Sequence, residues 1–314
     1  MGGILVFGSS NADMVFRLPA MPQKGETVRC DEYSNAPGGK GANQACACAK
    51  LGAKTTFLSA VGCDAFSGMI MNSLSSVGVD ITRMLNVSDV PTGFAAISVD
   101  STGENSIIVV PGANSLCTEE YVNSNQTILE EAEICLVQLE LPLSSVISFV
   151  RQAKKLNKTV IFNPAPASQD IPEDVYKSLD YFTPNETEIE QITGIGADSE
   201  EGIIDAAKSL LGKGVKNVIV TVGNRGAILI NNDTIVHYPA FEVNSVDSTA
   251  AGDTFNAGLA VALLEGKTID DAIGFASAAA AISVTRMGAQ PSVPSREEVD
   301  EFIRIRMNTY GGKQ

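Results

Sequence analysis

The chain has 314 residues, 44% of them hydrophobic and 19% charged, the profile of a folded globular protein with room for one large α/β domain or two smaller ones. Its 37 acids against 22 Lys and Arg leave a net charge of −15, which argues against nucleic acid, where phosphate neutralisation needs clustered bases. A small anionic ligand is compatible with that field, because a local nest of backbone N–H groups can oppose it.

At the amino terminus, "MGGILVFGSSNAD" turns polar too soon for the apolar core of a secretory signal, and position 6 is Val rather than the Ser or Thr wanted for myristoylation. The run 4–9 reads as a strand and ends in "GSSNAD". If the sheet is open α/β, that carboxyl end is where ligands bind. Asn11 can donate and accept and Asp13 can accept two hydroxyl protons, a pair suited to a polyhydroxy molecule, although an Asx-stabilised turn would use the same residues. Segments 14–35 and 91–111 alternate in the β manner ("TVRCDEYS", "TGFAAISVD", "NSIIVVPG") and are expected to form a small separate sheet over one end of the main one, a lid. Between them, "APGGKGANQACACAKLG" lets the backbone of residues 38–41 approach a ligand closely and leads into a helix over 42–50, with Asn43 in its first turn. It lacks the spacing of a Walker A loop.

Further strands are expected at 55–61, 134–139, 159–163, 181–183, 217–222 and 227–230, and helices at 66–77, 144–156, 186–193 and 200–211. Several of these strands are apolar on both faces, and from residue 134 strand and helix alternate, which reads as a doubly wound α/β sheet with helices on both sides. "LVQLELP" ends a strand on Glu140, which either meets solvent or points into the same cleft. "TPNETEIEQITG" sets Asn185 and Glu188 three apart on one helical face, a spacing that serves hydrated Mg²⁺ and phosphate oxygens or simply a capping box. "VTVGNRGA" either borders a nucleotide or is only a hairpin.

From residue 250 to 307 the chain reads as helical. The strongest signal opens that region: "DSTAAGDTFNAGL". Backbone N–H groups of Ala250, Ala251, Gly252 and Asp253 at a helix amino terminus would face negative charge, as phosphoryl transfer requires. Asp253 beside them can take the proton of an attacking hydroxyl. The six cysteines contain no CxxC and His237 is the sole histidine, so zinc is not expected and the thiols are read as reduced and structural. No apolar run approaches the roughly 20 residues a bilayer span needs. The reading is a cytoplasmic protein with neither membrane nor nucleic acid as partner.

The segments "GSSNAD", "GGKGANQA", "NPAPA", "TPNETE", "VTVGNRG", "DSTAAGDTFNAGLA" and "AAAISVTRMGAQPSVP" occur in the order expected of the ribokinase-like family of carbohydrate kinases, and the resemblance covers nearly the whole chain. It implies a single three-layer α/β/α domain over residues 1–314 with a β-sheet lid, acting as a homodimer through that lid. It implies phosphorylation of D-ribose at its 5-hydroxyl by ATP, with a kinase for deoxyribose, fructose or adenosine as the alternative and a non-catalytic sugar- or nucleotide-binding regulator as the more distant one. By the resemblance, Asn11, Ala12, Asp13, Gly39, Lys40, Gly41, Ala42, Asn43 and Glu140 hold the sugar, and Asp253 is the base with Ala250, Ala251 and Gly252 in the anion hole. Asn185 and Glu188 address phosphate and Mg²⁺, while Thr221, Val222, Gly223, Asn224, Arg225 and Gly226 border the nucleotide. Ser277 stands where the family often has His or Asn near the adenine, and Ala250 where its wider pattern has Gly. A monovalent cation, K⁺, is expected from Asp247 together with oxygens of Thr249, Ser283, Arg286, Gly288 and Ser292, since several carbonyls and one carboxylate suit a large, weakly hydrated ion. At Asp247 the competing reading is a plain Asx turn.

Overall fold

The computed structural model describes residues 2–310. Eight strands form the main sheet, in the order Ile235–Tyr238, Ala227–Asn231, Asn217–Thr221, Tyr181–Phe182, Thr159–Phe162, Ala132–Val137, Gly3–Phe7 and Thr55–Leu58. The last six run parallel, and the first two add an antiparallel hairpin at one edge. Alternate residues of each parallel strand enter opposite cores. Leu5, Phe7, Cys135, Val137, Val160 and Phe162 pack on one side with Phe149, Ile189 and Ile203. Ile4, Val6, Ile134, Leu136 and Ile161 pack on the other with Ala45, Phe255, Leu259 and Ala276. Burial on both faces is why these strands read as unbroken apolar runs. Helices therefore cover the sheet on both sides, the three-layer α/β/α arrangement.

A second sheet of four strands, in the order Glu32–Gly38, Asn11–Arg17, Gly93–Val99 and Asn105–Val110, draws on both alternating segments. Its central pair, Asn11–Arg17 with Gly93–Val99, is parallel, so strands distant in sequence lie side by side. The sheet begins at Asn11 and its second strand runs to Gly38, beyond the expected 14–35, so candidate site residues sit on its own strands. Its outer edge strand carries Ile107, Ile108 and Val109, each more than half exposed.

Local chemistry explains the other departures. The stretch 55–61 breaks at Ser59 into Thr55–Leu58 and Ala60–Gly62, the latter pairing in parallel with Leu85–Val87. Ser59 gives its carbonyl to the amide of Leu85 and its hydroxyl bonds that of Ser10, which pulls the backbone off the main sheet. The carboxy-terminal region divides into Ala251–Leu264, Ile269–Ser283 and Arg296–Tyr310. Gly258 permits the close crossing of the first two, since a Cβ there would lie 2.8 Å from the Cα of Ala276.

Candidate active site

Four parallel strands of the main sheet end on polar residues at the same edge: Ser9 and Ser10 after Phe7, Gln138 and Glu140 after Val137, Asn163 after Phe162, and Thr183 after Phe182. Two helices start against this edge, Lys40–Lys50 and Ala251–Leu264. Gly39, at φ +88°, caps the first, and a Cβ there would come within 2.7 Å of the Asn11 amide nitrogen. At Gly41 a Cβ would meet the carbonyl carbon of Gly8 at 2.4 Å, so backbone packs directly on backbone and the glycine loop is compressed onto the first strand's end.

The second helix begins at Ala250, which holds the left-handed conformation at φ +58° and gives no side-chain cap. Ser248 accepts from the Ala251 amide at 3.2 Å. A Cβ on Gly252 would meet nothing within 4 Å, so the space over this amino terminus is open. Here the helix dipole and first-turn N–H groups favour an anion.

Asp253 lies in this first turn and is 7% exposed. Its Oδ2 accepts from Asn43 Nδ2 at 3.1 Å and its Oδ1 from Gln44 Nε2 at 2.9 Å. A buried carboxylate needs such donors. Gln44 also donates to Asn163 Oδ1 at 3.1 Å and accepts from Gln138 Nε2 at 2.5 Å. The sequence patterns did not single out Gln44, Gln138 or Asn163. The available signal was a polar amide within or beside each apolar segment, with Gln44 next to Asn43 at the start of the Ala- and Cys-rich run "ANQACACA".

Beside Asp253 stand Asp13, Glu140 and Lys40. Glu140 Oε2 accepts from the Ser9 hydroxyl at 2.5 Å and the Lys40 amide at 3.1 Å, so it points into the cleft rather than to solvent. Burial, reinforced by the charges of Glu140 and Asp253, pushes the Asp13 carboxyl up to about 7 against the pull of Lys40. Burial works against the Lys40 ammonium, but Asp253, Glu140, Glu188 and Asp13 together raise its pKa above the ordinary value. One cation among four acids holds the cluster together. Asn11 is 4% exposed and accepts through Oδ1 from Asn114 Nδ2 at 2.8 Å, while Ala12 is fully buried and Ala42 lies in the second core.

Asn185 and Glu188 form a complete capping box: the Asn185 side chain accepts from the Glu188 amide and Glu188 Oε2 from the Asn185 amide, both at 2.8 Å. Burial raises the Glu188 carboxyl, the Asn185 amide and Lys40 pull it down, and Asp253 adds to the rise, so it faces the same cleft. Thr221 to Gly226 follow the neighbouring strand as a tight turn, closed by the Val222 amide on the Gly226 carbonyl at 2.8 Å, and lead into the antiparallel hairpin. Gly223 and Asn224 are exposed at its tip, and Arg225 pairs with Glu186. Ser277 is half-buried midway along Ile269–Ser283.

Asp247 ties two loops together. Its Oδ1 accepts from the Thr249 amide at 2.9 Å and hydroxyl at 2.6 Å, and its Oδ2 from the Gly288 amide at 2.8 Å. Burial opposes its charge, but these bonds hold its pKa below the ordinary range. The Asx turn is present, and the contact with Gly288 goes beyond it. The Ser283 carbonyl accepts from the Arg286 amide, and the Arg286 side chain turns away to Glu298. Ser292 is fully buried in the short 3₁₀ turn Gln290–Ser292.

Against known proteins, residues 1–296 match the model of the pfkB family carbohydrate kinases. The chain is 42% identical to a ribokinase of Haemophilus influenzae, over 96% of this chain and 98% of that protein. It is 37% identical to a deoxyribokinase of Salmonella typhi over 96% and 99% of the two chains. Among solved structures it is similar to the Arabidopsis thaliana ribokinase complexed with ribose and ATP, at 35% identity, covering 96% of this chain and 99% of that one, with a TM-score of 0.92.

Proposed function

The chain belongs to the pfkB family of carbohydrate kinases and is an ATP-dependent enzyme of that kind; we propose that the reaction it catalyses is transfer of the γ-phosphoryl group of ATP to the 5-hydroxyl of D-ribose. The observation that carries the chemistry is the seat of Asp253: a buried carboxylate, held by two amide donors, in the first turn of a helix whose open amino terminus faces the same space. The sugar's hydroxyl lies against Asp253, which accepts its proton as the oxygen attacks. The N–H groups of Gly252 and Asp253 face the charge developing on the transferring group, the Ala251 N–H being engaged by the Ser248 carbonyl. Asn11, Asp13, Glu140 and the backbone of 39–43 bind the remaining hydroxyls, and Ala12 and Ala42 keep the floor of the pocket small.

On this reading the nucleotide lies along Thr221 to Gly226, with Ser277 toward its base. Glu188, with Asn185, addresses hydrated Mg²⁺. Mg²⁺ keeps several waters and takes few carboxylates, so one acid and the nucleotide phosphates would suffice to hold it. Asp247, Thr249 and the carbonyls of Ser283, Arg286 and Gly288, with Ser292, are the proposed seat of K⁺. The contact between Asp247 and Gly288 supports this, since it joins the two loops that would supply the oxygens. An ion there supplies charge that stiffens the loop leading to Ala250. The four-stranded sheet closes over the sugar as a lid, and its exposed Ile107, Ile108 and Val109 support pairing with a second copy. No helix among the described residues is long and apolar enough to cross a membrane, and we place the enzyme in the cytoplasm.

Similarity to the Salmonella typhi deoxyribokinase supports a second reading, in which 2-deoxyribose is the preferred sugar. ATP turnover with D-ribose, 2-deoxy-D-ribose, D-fructose and adenosine separates them. The highest kcat/KM on D-ribose is expected, and a higher value on another member of the panel would reassign the substrate.

A further inference from the structure

Asp253 is linked to its own backbone by a circuit of buried hydrogen bonds. Gln44 Nε2 donates to Asp253 Oδ1 at 2.9 Å and to Asn163 Oδ1 at 3.1 Å. Asn163 Nδ2 donates to the Thr183 carbonyl at 3.1 Å. The Thr183 hydroxyl donates to Asn256 Oδ1 at 2.6 Å. Asn256 Nδ2 then donates to the carbonyl of Gly252 at 2.9 Å, one residue before the starting point. Gln44, Thr183 and Asn256 are each no more than 2% exposed, and Asn163 is 7% exposed.

The final bond has a consequence through peptide geometry. The Gly252 carbonyl and the Asp253 N–H belong to one planar trans unit, so they point in opposite directions. Anchoring that carbonyl aims the Asp253 N–H toward the open space above the helix. The same circuit holds the Asp253 carboxylate through Gln44. Base and anion-facing donor are thereby fixed relative to each other by side chains from four separate elements.

We propose that Thr183 and Asn256 are positioning residues for phosphoryl transfer, which set the Asp253 carboxylate and the Asp253 amide in one frame without touching substrate. This rests on Asp253 acting as base at that helix end. Thr183 is the joint at which the circuit can be opened with least change of shape. Thr183→Val keeps the volume, removes the hydroxyl and leaves Asn256 Oδ1 free to turn. Thr183→Ser keeps the hydroxyl and removes a methyl.

The test measures kcat, sugar KM, ATP KM and the thermal midpoint for both variants and for Asp253→Asn. Misplacement at a reacting centre costs on the order of 10–100-fold in rate. The Val variant is therefore expected to lose about that much kcat with both KM values near wild type. The Ser variant should keep most of kcat although it, too, loses packing. Where the Val variant unfolds, Asn256→Asp, which keeps the acceptor for Thr183 and loses the donor to Gly252, must show the same fall in kcat with KM retained. Equal kcat in the Val and Ser variants, or a Val variant that changes KM alone, overturns the positioning role while a dead Asp253→Asn leaves the base in place. A fully active Asp253→Asn overturns both.

Discussion

Replacing Asp13 by Asn tests whether the proposed sugar pocket is held in a state that disfavours the free enzyme. The Asp13 carboxyl is pushed up to about 7, from an ordinary value of 3.8, by burial and by the charges of Glu140 and Asp253. Because the folded pKa is raised, the stability linked to this group is fully present below the unfolded value and is lost as pH rises through about 7. At 1.36 kcal/mol per unit, a rise of about three units makes the ionised group a liability of roughly 4 kcal/mol at pH 8. Relaxation of neighbouring charges makes that a ceiling. Asp13→Asn removes the charge at nearly constant shape. The unliganded variant should therefore unfold at a higher temperature than wild type at pH 8, with the difference shrinking as pH falls toward 4. Its sugar KM should rise, because the pocket loses a charged acceptor worth on the order of 1–3 kcal/mol, while the ATP KM stays near wild type. Thermal unfolding across that pH range, with kinetics at pH 8, gives both readings. A variant less stable than wild type at pH 8, or a stability difference independent of pH, would refute the electrostatic reasoning.

Glu188→Gln should raise the Mg²⁺ concentration needed for half-maximal rate while leaving the fold intact, since the amide can still accept from Asn185; an unchanged Mg²⁺ titration would separate this residue from the metal. Activity in potassium chloride should exceed that in a bulky organic cation at equal ionic strength, and Asp247→Ala should abolish the difference. Indistinguishable rates in the two salts would remove the cation site. Light scattering at micromolar concentration should show a dimer that Ile108→Glu dissociates; a 32.9 kDa species alone in the wild type would end the idea that the outer edge of the small sheet is an interface.

The main sheet was legible because burial on both faces leaves a signature within each strand, as in the runs ending at Phe7 and Val137. The polar start of the helix Ala251–Leu264 was legible for a similar local reason, as small residues and one acid precede its apolar run. What holds Asp253 was not legible. Gln44 lies 209 residues away, and Asn163 reaches the carboxylate through Gln44. No local period encodes a pairing made by two helices converging on one sheet edge. Thr183 and Asn256 were hidden in the same way, since their partners lie in distant segments of the chain. The parallel pairing of Asn11–Arg17 with Gly93–Val99 also escaped the pattern, since alternation fixes which face a residue takes and not which strand lies beside it. The capping box at Asn185 was visible in sequence because both of its halves lie within one helical turn.

The most direct test of the account is ribose phosphorylation by Asp253→Asn. The substitution keeps shape and removes basicity; its amide oxygen can still accept from one of the two donors, Asn43 and Gln44, that hold Asp253. Loss of a general base typically lowers the rate on the order of 10²–10⁴-fold. A fall of that size in kcat is expected with ATP, Mg²⁺ and D-ribose saturating and the circular dichroism spectrum unchanged. A folded variant that phosphorylates D-ribose at the wild-type rate would contradict it.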